Sequence, residues 1–242
     1  MVAIIHYLPL LTTILSAAFF IILIQAWLER RTGPHLLWWA AGVFFYGLGT
    51  AIESAITLSG NTVPLNKAWY IAGALLGGYP LAQGAVYLLA NRKLANLLTA
   101  ITVPFIVLTS VLVILSPVDI AALDIHRPSG AILQWRWVRL MTPFINLYAA
   151  TFLIGGAIVS ARRYAKSGEF PERVRGNVLI AIGGILPGIG GSMAKAGLVE
   201  ALYVGELIGL VLIWMGYSVI ASRRQATAVD RELSAVERGA CR

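Results

Sequence analysis

Apolar positions in this chain come in runs of about 20 residues separated by short polar segments, the length a helix needs to cross roughly 30 Å of hydrocarbon. They predict seven spans, at 5–28, 36–58, 68–90, 94–115, 138–161, 174–194 and 201–221. The first run begins at Met1 with no basic residue before it and is followed by the other spans, so it reads as a retained helix and not as a cleaved signal peptide. The expected fold class is therefore an all-α integral membrane protein with a membrane domain over 1–222 and a short polar tail over 223–242.

Composition agrees with this pattern, since 58% of the 242 residues are hydrophobic and 12% are charged. Charge then sets an orientation. With the N-terminus outside and the C-terminus in the cytoplasm, 14 of the 19 Lys and Arg residues fall inside, among them Arg30, Arg92, Lys93, Arg162, Arg163, Arg173 and Arg175. The expected location is the plasma (inner) membrane, spanned many times. The net charge of +8 is explained by this topology, with anionic membrane lipid as the partner of the inner face and no nucleic acid required. The cluster from Arg162 to Arg175 also offers a cytoplasmic docking face for a protein partner.

Glycine gives the second pattern. The sixth span carries Gly183, Gly184, Pro187, Gly188, Gly190 and Gly191 before Ser192 and Lys195, a composition suited to close helix contact. Pro187 among these glycines predicts a kink or a partly opened turn. Gly42, Gly47, Gly49 and Ala55 in the second span echo Gly183, Gly188, Gly190 and Ala196. The third and seventh spans share a small-xxx-small pair, Gly73 with Gly77 and Gly205 with Gly209. Together these matches suggest parallel halves over 1–93 and 138–224 joined by a linker helix over 94–115.

Polar groups inside the spans are costly and become functional candidates by default. Glu53 and Glu206 lie within spans, Lys195 and Arg139 near span ends, and Tyr70 and Tyr203 close by. These six form the expected ligand-binding set around a polar cavity in the outer leaflet. The plainer alternative for Glu53 is a carboxylate that snorkels to the outer interface or makes a structural hydrogen bond. The tryptophans Trp27, Trp38, Trp39, Trp69, Trp135 and Trp137 fall at predicted membrane boundaries and read as aromatic-belt anchors. The loop over 116–137 is the longest and is either a lid over the site or a plain connection.

Other chemistries find little support. Ser192 and Lys195 have S-x-x-K spacing, but no S-D-N or K-T-G accompanies them. His6 and His35 sit near membrane ends and His126 in a loop, which does not suit haem, and no HExxH or paired cysteines suggest a metal. Cys241 is the only cysteine. No cofactor and no catalytic residue is expected.

The count of spans and the outside N-terminus are similar in topology to the microbial rhodopsins, which attach retinal to a lysine of the last helix; residues 201–221 contain no lysine. The three-plus-one-plus-three layout is similar to that of the sugar-transporting SWEET proteins, whose parallel repeats enclose a substrate path. That resemblance implies a small-molecule carrier working by rocking of two halves. A receptor-like or accessory subunit acting through protein partners is the competing reading.

Overall fold

The computed structural model describes residues 4–30, 33–168 and 170–240; the side chains of Ile4, His6, Arg30, Lys195 and residues 223–240 lie outside the description, as does Cys241. Seven helices are long and apolar enough to cross a membrane. We label them α1 (Leu8–Arg30), α2 (His35–Ser59), α3 (Val63–Leu89), α4 (Arg92–Leu115), α5 (Arg136–Ser167), α6 (Pro171–Lys195) and α7 (Val199–Ala240). Among the described residues no strand forms beyond an isolated bridge between Val118 and Leu133.

Local sequence explains where the helices begin and end. Asn91 caps α4 by accepting from the backbone N–H of Leu94 at 2.8 Å. Pro64 and Pro171 occupy first-turn positions of α3 and α6, where the missing N–H costs nothing. Gly197, at φ +97, turns the chain from α6 into α7, a left-handed conformation that side chains resist.

Six helices close a ring in which α1 packs on α2 and α7, α2 on α3, α3 on α5, α5 on α6 and α6 on α7. The remaining helix, α4, lies outside against α3. In α3, 61% of the apolar window is buried, against 17% in α4, so α3 is the central span and α4 the peripheral one. One core, including Phe19, Leu23, Val43, Leu81, Leu153 and Ile213, fills the ring. A second, including Tyr70, Leu75, Ile106, Ile132 and Val138, joins α3, α4 and α5 beneath the loop over 116–135. We call the end of the bundle nearest this loop the acid end, and the opposite end, where Arg92, Arg162 and Arg175 lie exposed, the basic end.

The glycines of α6 face α7 in a ladder. A Cβ added at Gly176 would stand 2.7 Å from Gly216 O, one at Gly183 2.6 Å from Gly209 O, and one at Gly190 2.7 Å from Ala201 O. In return, a Cβ at Gly205 would meet Leu186 O at 2.8 Å and one at Gly209 would meet Gly183 O at 2.7 Å. Backbone therefore lies on backbone along the seam, where dispersion and Cα–H···O contacts replace side-chain packing. Gly188 and Gly191 meet nothing and stand outside it.

Pro187 does not break its helix, contrary to the expectation of an opened turn: α6 runs unbroken from Pro171 to Lys195. Proline frees the carbonyl four residues earlier, that of Gly183, and this oxygen lies against Gly209 of α7. Irregular backbone lies instead in α5, with a turn at Leu140 and a π-helical segment over Ala150–Gly155, and in α3. A π-helical segment over Tyr70–Leu75 leads into a turn at 76–78, and the α-helix restarts at Tyr79 with Pro80 in its first turn. Here Gly77 N donates to Gly73 O at 3.2 Å, and a Cβ on Gly77 would meet that oxygen at 2.6 Å.

At the other terminus, α7 continues without interruption to Ala240, carrying the expected tail segment as helix.

The loop after α4 is clamped rather than loose. Buried Asn61 donates to the carbonyls of Asp124 and Arg127 at 2.9 and 3.2 Å. Buried Asn66 accepts from Ser129 N at 2.9 Å and donates to Ser129 O at 2.7 Å. Lys67 Nζ adds bonds to the carbonyls of Ile114 and Ser116 at the loop's start.

Candidate functional site

Glu53 is six residues before the end of α2 and Trp69 six residues after the start of α3, so the antiparallel hairpin sets them at one depth. The helices approach closely one turn deeper, where a Cβ on Gly49 would lie 3.0 Å from Gly73 Cα. In the space so left, the indole N–H of Trp69 donates to Glu53 Oε1 at 2.7 Å. Glu53 is only 2% exposed, well inside the helix, and does not snorkel.

Glu206 reaches the same place from α7, seven residues after that helix begins. Its carboxyl interacts directly with that of Glu53. Tyr46, on α2, donates its hydroxyl hydrogen to the backbone carbonyl of Glu206 at 2.9 Å, tying the two helices together. Tyr203, buried and one turn before Glu206, is in electrostatic range of both acids and of Arg127 and Glu200. Arg127 and Glu200 form an ion pair at 3.9 Å that links the clamped loop to the start of α7.

Among the described residues, Oε2 of Glu53 and Oε2 of Glu206 are both buried and meet no donor outside the pair. Two neighbouring carboxylates in a medium of low dielectric repel strongly, by about 4 kcal/mol at 4 Å and an effective dielectric of 20. Such a pair persists by sharing a proton or by holding a cation between its oxygens. No third His, Cys, Asp or Glu joins them in a metal-sized group among the described residues.

Of the six residues predicted as a site, the structure thus brings together Glu53, Glu206 and Tyr203. Tyr70 points elsewhere: its hydroxyl bonds Thr142 at 2.6 Å, its ring packs beneath Gly130 of the loop, and exposed Arg139 is its charged neighbour. Lys195 is the last residue of α6, about 9 Å nearer the end of the bundle than a residue six positions inside a helix, and its side chain lies outside the described residues. Ser192 donates its hydroxyl to Gly188 O at 2.9 Å, a helix-backbone bond.

Trp69 and Tyr46 belong to the cluster without having been predicted there. Trp69 had read as a belt residue, and its depth-matching to Glu53 was the available signal. Trp39, also read as a belt anchor, is 8% exposed and lies in the core.

A second polar group sits deeper between α3, α4 and α5. Fully buried Gln83 donates to Thr99 Oγ1 at 2.7 Å and to Ala95 O at 3.2 Å, and accepts from the hydroxyl of Tyr148. Tyr79 pairs with Thr102 at 2.6 Å. Every polar atom of Gln83's amide has a partner, so this network fastens helices and offers no free group.

Two clefts open among the described residues at the ends of the bundle. A small one of about 170 Å³ opens between α1 and α2 at the acid end, lined by Tyr7, Leu10, Ser54, Thr57 and Leu58. A much larger, mainly apolar one of about 760 Å³, open mouth included, lies at the basic end among α2, α3, α5, α6 and α7. No protein-family model and no curated protein matches the chain.

Proposed function

We propose that this multi-pass protein binds or transports a small molecule through the polar cluster of Glu53 and Glu206, near the outer leaflet, with the N-terminus outside and the C-terminus in the cytoplasm of a plasma-membrane-spanning bundle. The observation that carries the reading is the pair of adjoining carboxyls from α2 and α7, each with a buried oxygen that meets no donor outside the pair. Buried polar groups are normally satisfied, and unsatisfied ones inside a membrane bundle mark ion and substrate positions. The chemistry favours a proton or a cationic group as occupant. Tyr203, the ion pair of Arg127 with Glu200 and the clamped loop close this site toward the acid end. Lys195 and Arg139 stand at the entrance level in this reading, and Tyr70 supports the loop.

Support for two moving halves comes from the ring of six helices with α4 outside it, the layout a three-plus-one-plus-three carrier needs. The interrupted α3 supplies a joint within the ring.

One observation favours the receptor-like alternative. As a continuous helix of 42 residues, α7 outruns the hydrocarbon thickness and could present its far end to a protein partner.

The test is purified protein in liposomes, screened for uptake and binding of cationic solutes, with E53Q and E206Q alongside the parent. Loss of uptake or binding in both variants, with assembly unchanged, supports the reading. Unchanged uptake and binding in both refutes it, and binding without accumulation selects the receptor.

A further inference from the structure

The two acids of the pair are alike in type but not in surroundings. Glu53, from α2, accepts the indole N–H of Trp69 on Oε1 at 2.7 Å. Glu206, from α7, has Tyr46 beside it, but that hydroxyl donates to the backbone carbonyl of Glu206 at 2.9 Å and so is not spent on the carboxyl. Oε2 of Glu206 meets no donor outside the pair. The titratable groups facing the pair are Tyr46 from α2 and Tyr203 from α7, with Arg127 and Glu200 in electrostatic reach of Tyr203. The buried polar groups of α1 are the hydroxyls of Thr12 and Ser16, α3 presents the neutral indole, and Lys195 of α6 stands nearer the end of the bundle.

One proton can sit on such a pair in two ways. If Glu53 bears it, the charge falls on Glu206, whose Oε2 then meets that proton and no other donor. If Glu206 bears it, the charge falls on Glu53, which then receives two donors, the indole N–H and the Glu206 O–H. Donors aimed at an ionised oxygen stabilise the charge, and such bonds are roughly twice as strong as neutral ones. The second placement is therefore the favoured one.

We propose that the pair carries one proton, that Glu206 bears it and donates it to Glu53, and that Trp69 is the positioning residue that fixes this assignment. The inference rests on the reading of the pair as the binding site and names its resident ion.

Infrared spectroscopy of the full chain in lipid nanodiscs tests this without reference to transport, because a buried protonated carboxyl absorbs apart from ionised carboxylates. At neutral pH the parent should show such a band. E206Q should remove it, since Glu53 stays ionised against its indole. E53Q should keep it, since Glu206 can still donate to the amide oxygen. The reverse pattern would overturn the placement, and a parent without the band would overturn the shared proton.

W69F removes the donor and keeps an aromatic ring. Its band should persist to a pH about one to two units higher, the tenfold to hundredfold effect of losing a hydrogen bond to a charged group. An unchanged titration in W69F would strip Trp69 of its role. Uptake and binding of cationic solutes by the same variants separate the two readings. The expected bands with unchanged uptake in E53Q and E206Q would keep the proton assignment and reject the binding site. Reversed bands with uptake lost would do the opposite.

Discussion

The indole N–H of Trp69 reaches Glu53 Oε1 across 2.7 Å, joining the start of α3 to the end of α2 at a depth where the carboxyl is buried. Trp69→Phe removes the donor and keeps the ring. The expected cost is about 1 to 3 kcal/mol, because a buried acceptor is left unmet. E53Q, which keeps an acceptor oxygen for the indole, should cost less than E53A. Reversible unfolding in mixed micelles of detergent and denaturant measures all three, and an E53Q variant as unstable as E53A would contradict the assigned bond.

Glu53 and Glu206 should act as one unit. In a double-mutant cycle with E53Q, E206Q and the double variant, a coupling of about 1 to 3 kcal/mol is expected, of the size found for residues in direct contact. Additive effects would mean that the two carboxyls do not share a site.

The glycine ladder makes a positional prediction. Gly183→Ala and Gly209→Ala should each destabilise by about 1 to 3 kcal/mol, since a methyl group would collide with backbone that cannot move aside. Gly188→Ala, five residues along the same helix, meets open space and should be neutral or slightly stabilising through helix propensity. Thermal unfolding of the three variants in one detergent checks the contrast, and equal effects would remove the seam from the account.

Asn66 holds Ser129 by two bonds, so Asn66→Ala should release the loop over 116–135 selectively. Amide exchange across 118–134 is expected to rise by at least tenfold, the effect of about 1.4 kcal/mol of local stability, while the core of α2 stays protected. Unchanged exchange in the loop would show that Lys67 and Asn61 suffice to hold it.

Much of this was legible because membrane helices announce themselves by length. The seven predicted spans coincide with the observed ones to within a few residues at most ends, and the acids within them stood out by cost alone. What pairs with an acid is harder to read, since it depends on depth and on helix rotation. Trp69 looked like an interface anchor because tryptophans often are, yet counting inward from the two ends of the α2–α3 hairpin puts it level with Glu53. Tyr70, next in sequence, is turned to the other side of α3 and serves the loop.

The opened turn expected at Pro187 is absent for a related reason. Pro187 sits among glycines, but those glycines let α7 close against the backbone of α6, and the helix continues. In α3 the string Gly77-Gly78-Tyr79-Pro80 carries an ordinary turn signal, and there the helix does break.

The seam between α6 and α7 has a dynamic consequence. Glycines bring no rotamers to be frozen, so the two helices join without the side-chain entropy that a leucine seam would spend. They have equally few ways to slide, since backbone lying on backbone leaves no soft layer to absorb a shift. With only a tight turn at Gly197 between them, α6 and α7 are expected to move as a single plank within their half, hinging against α1, in any motion that exposes the acids.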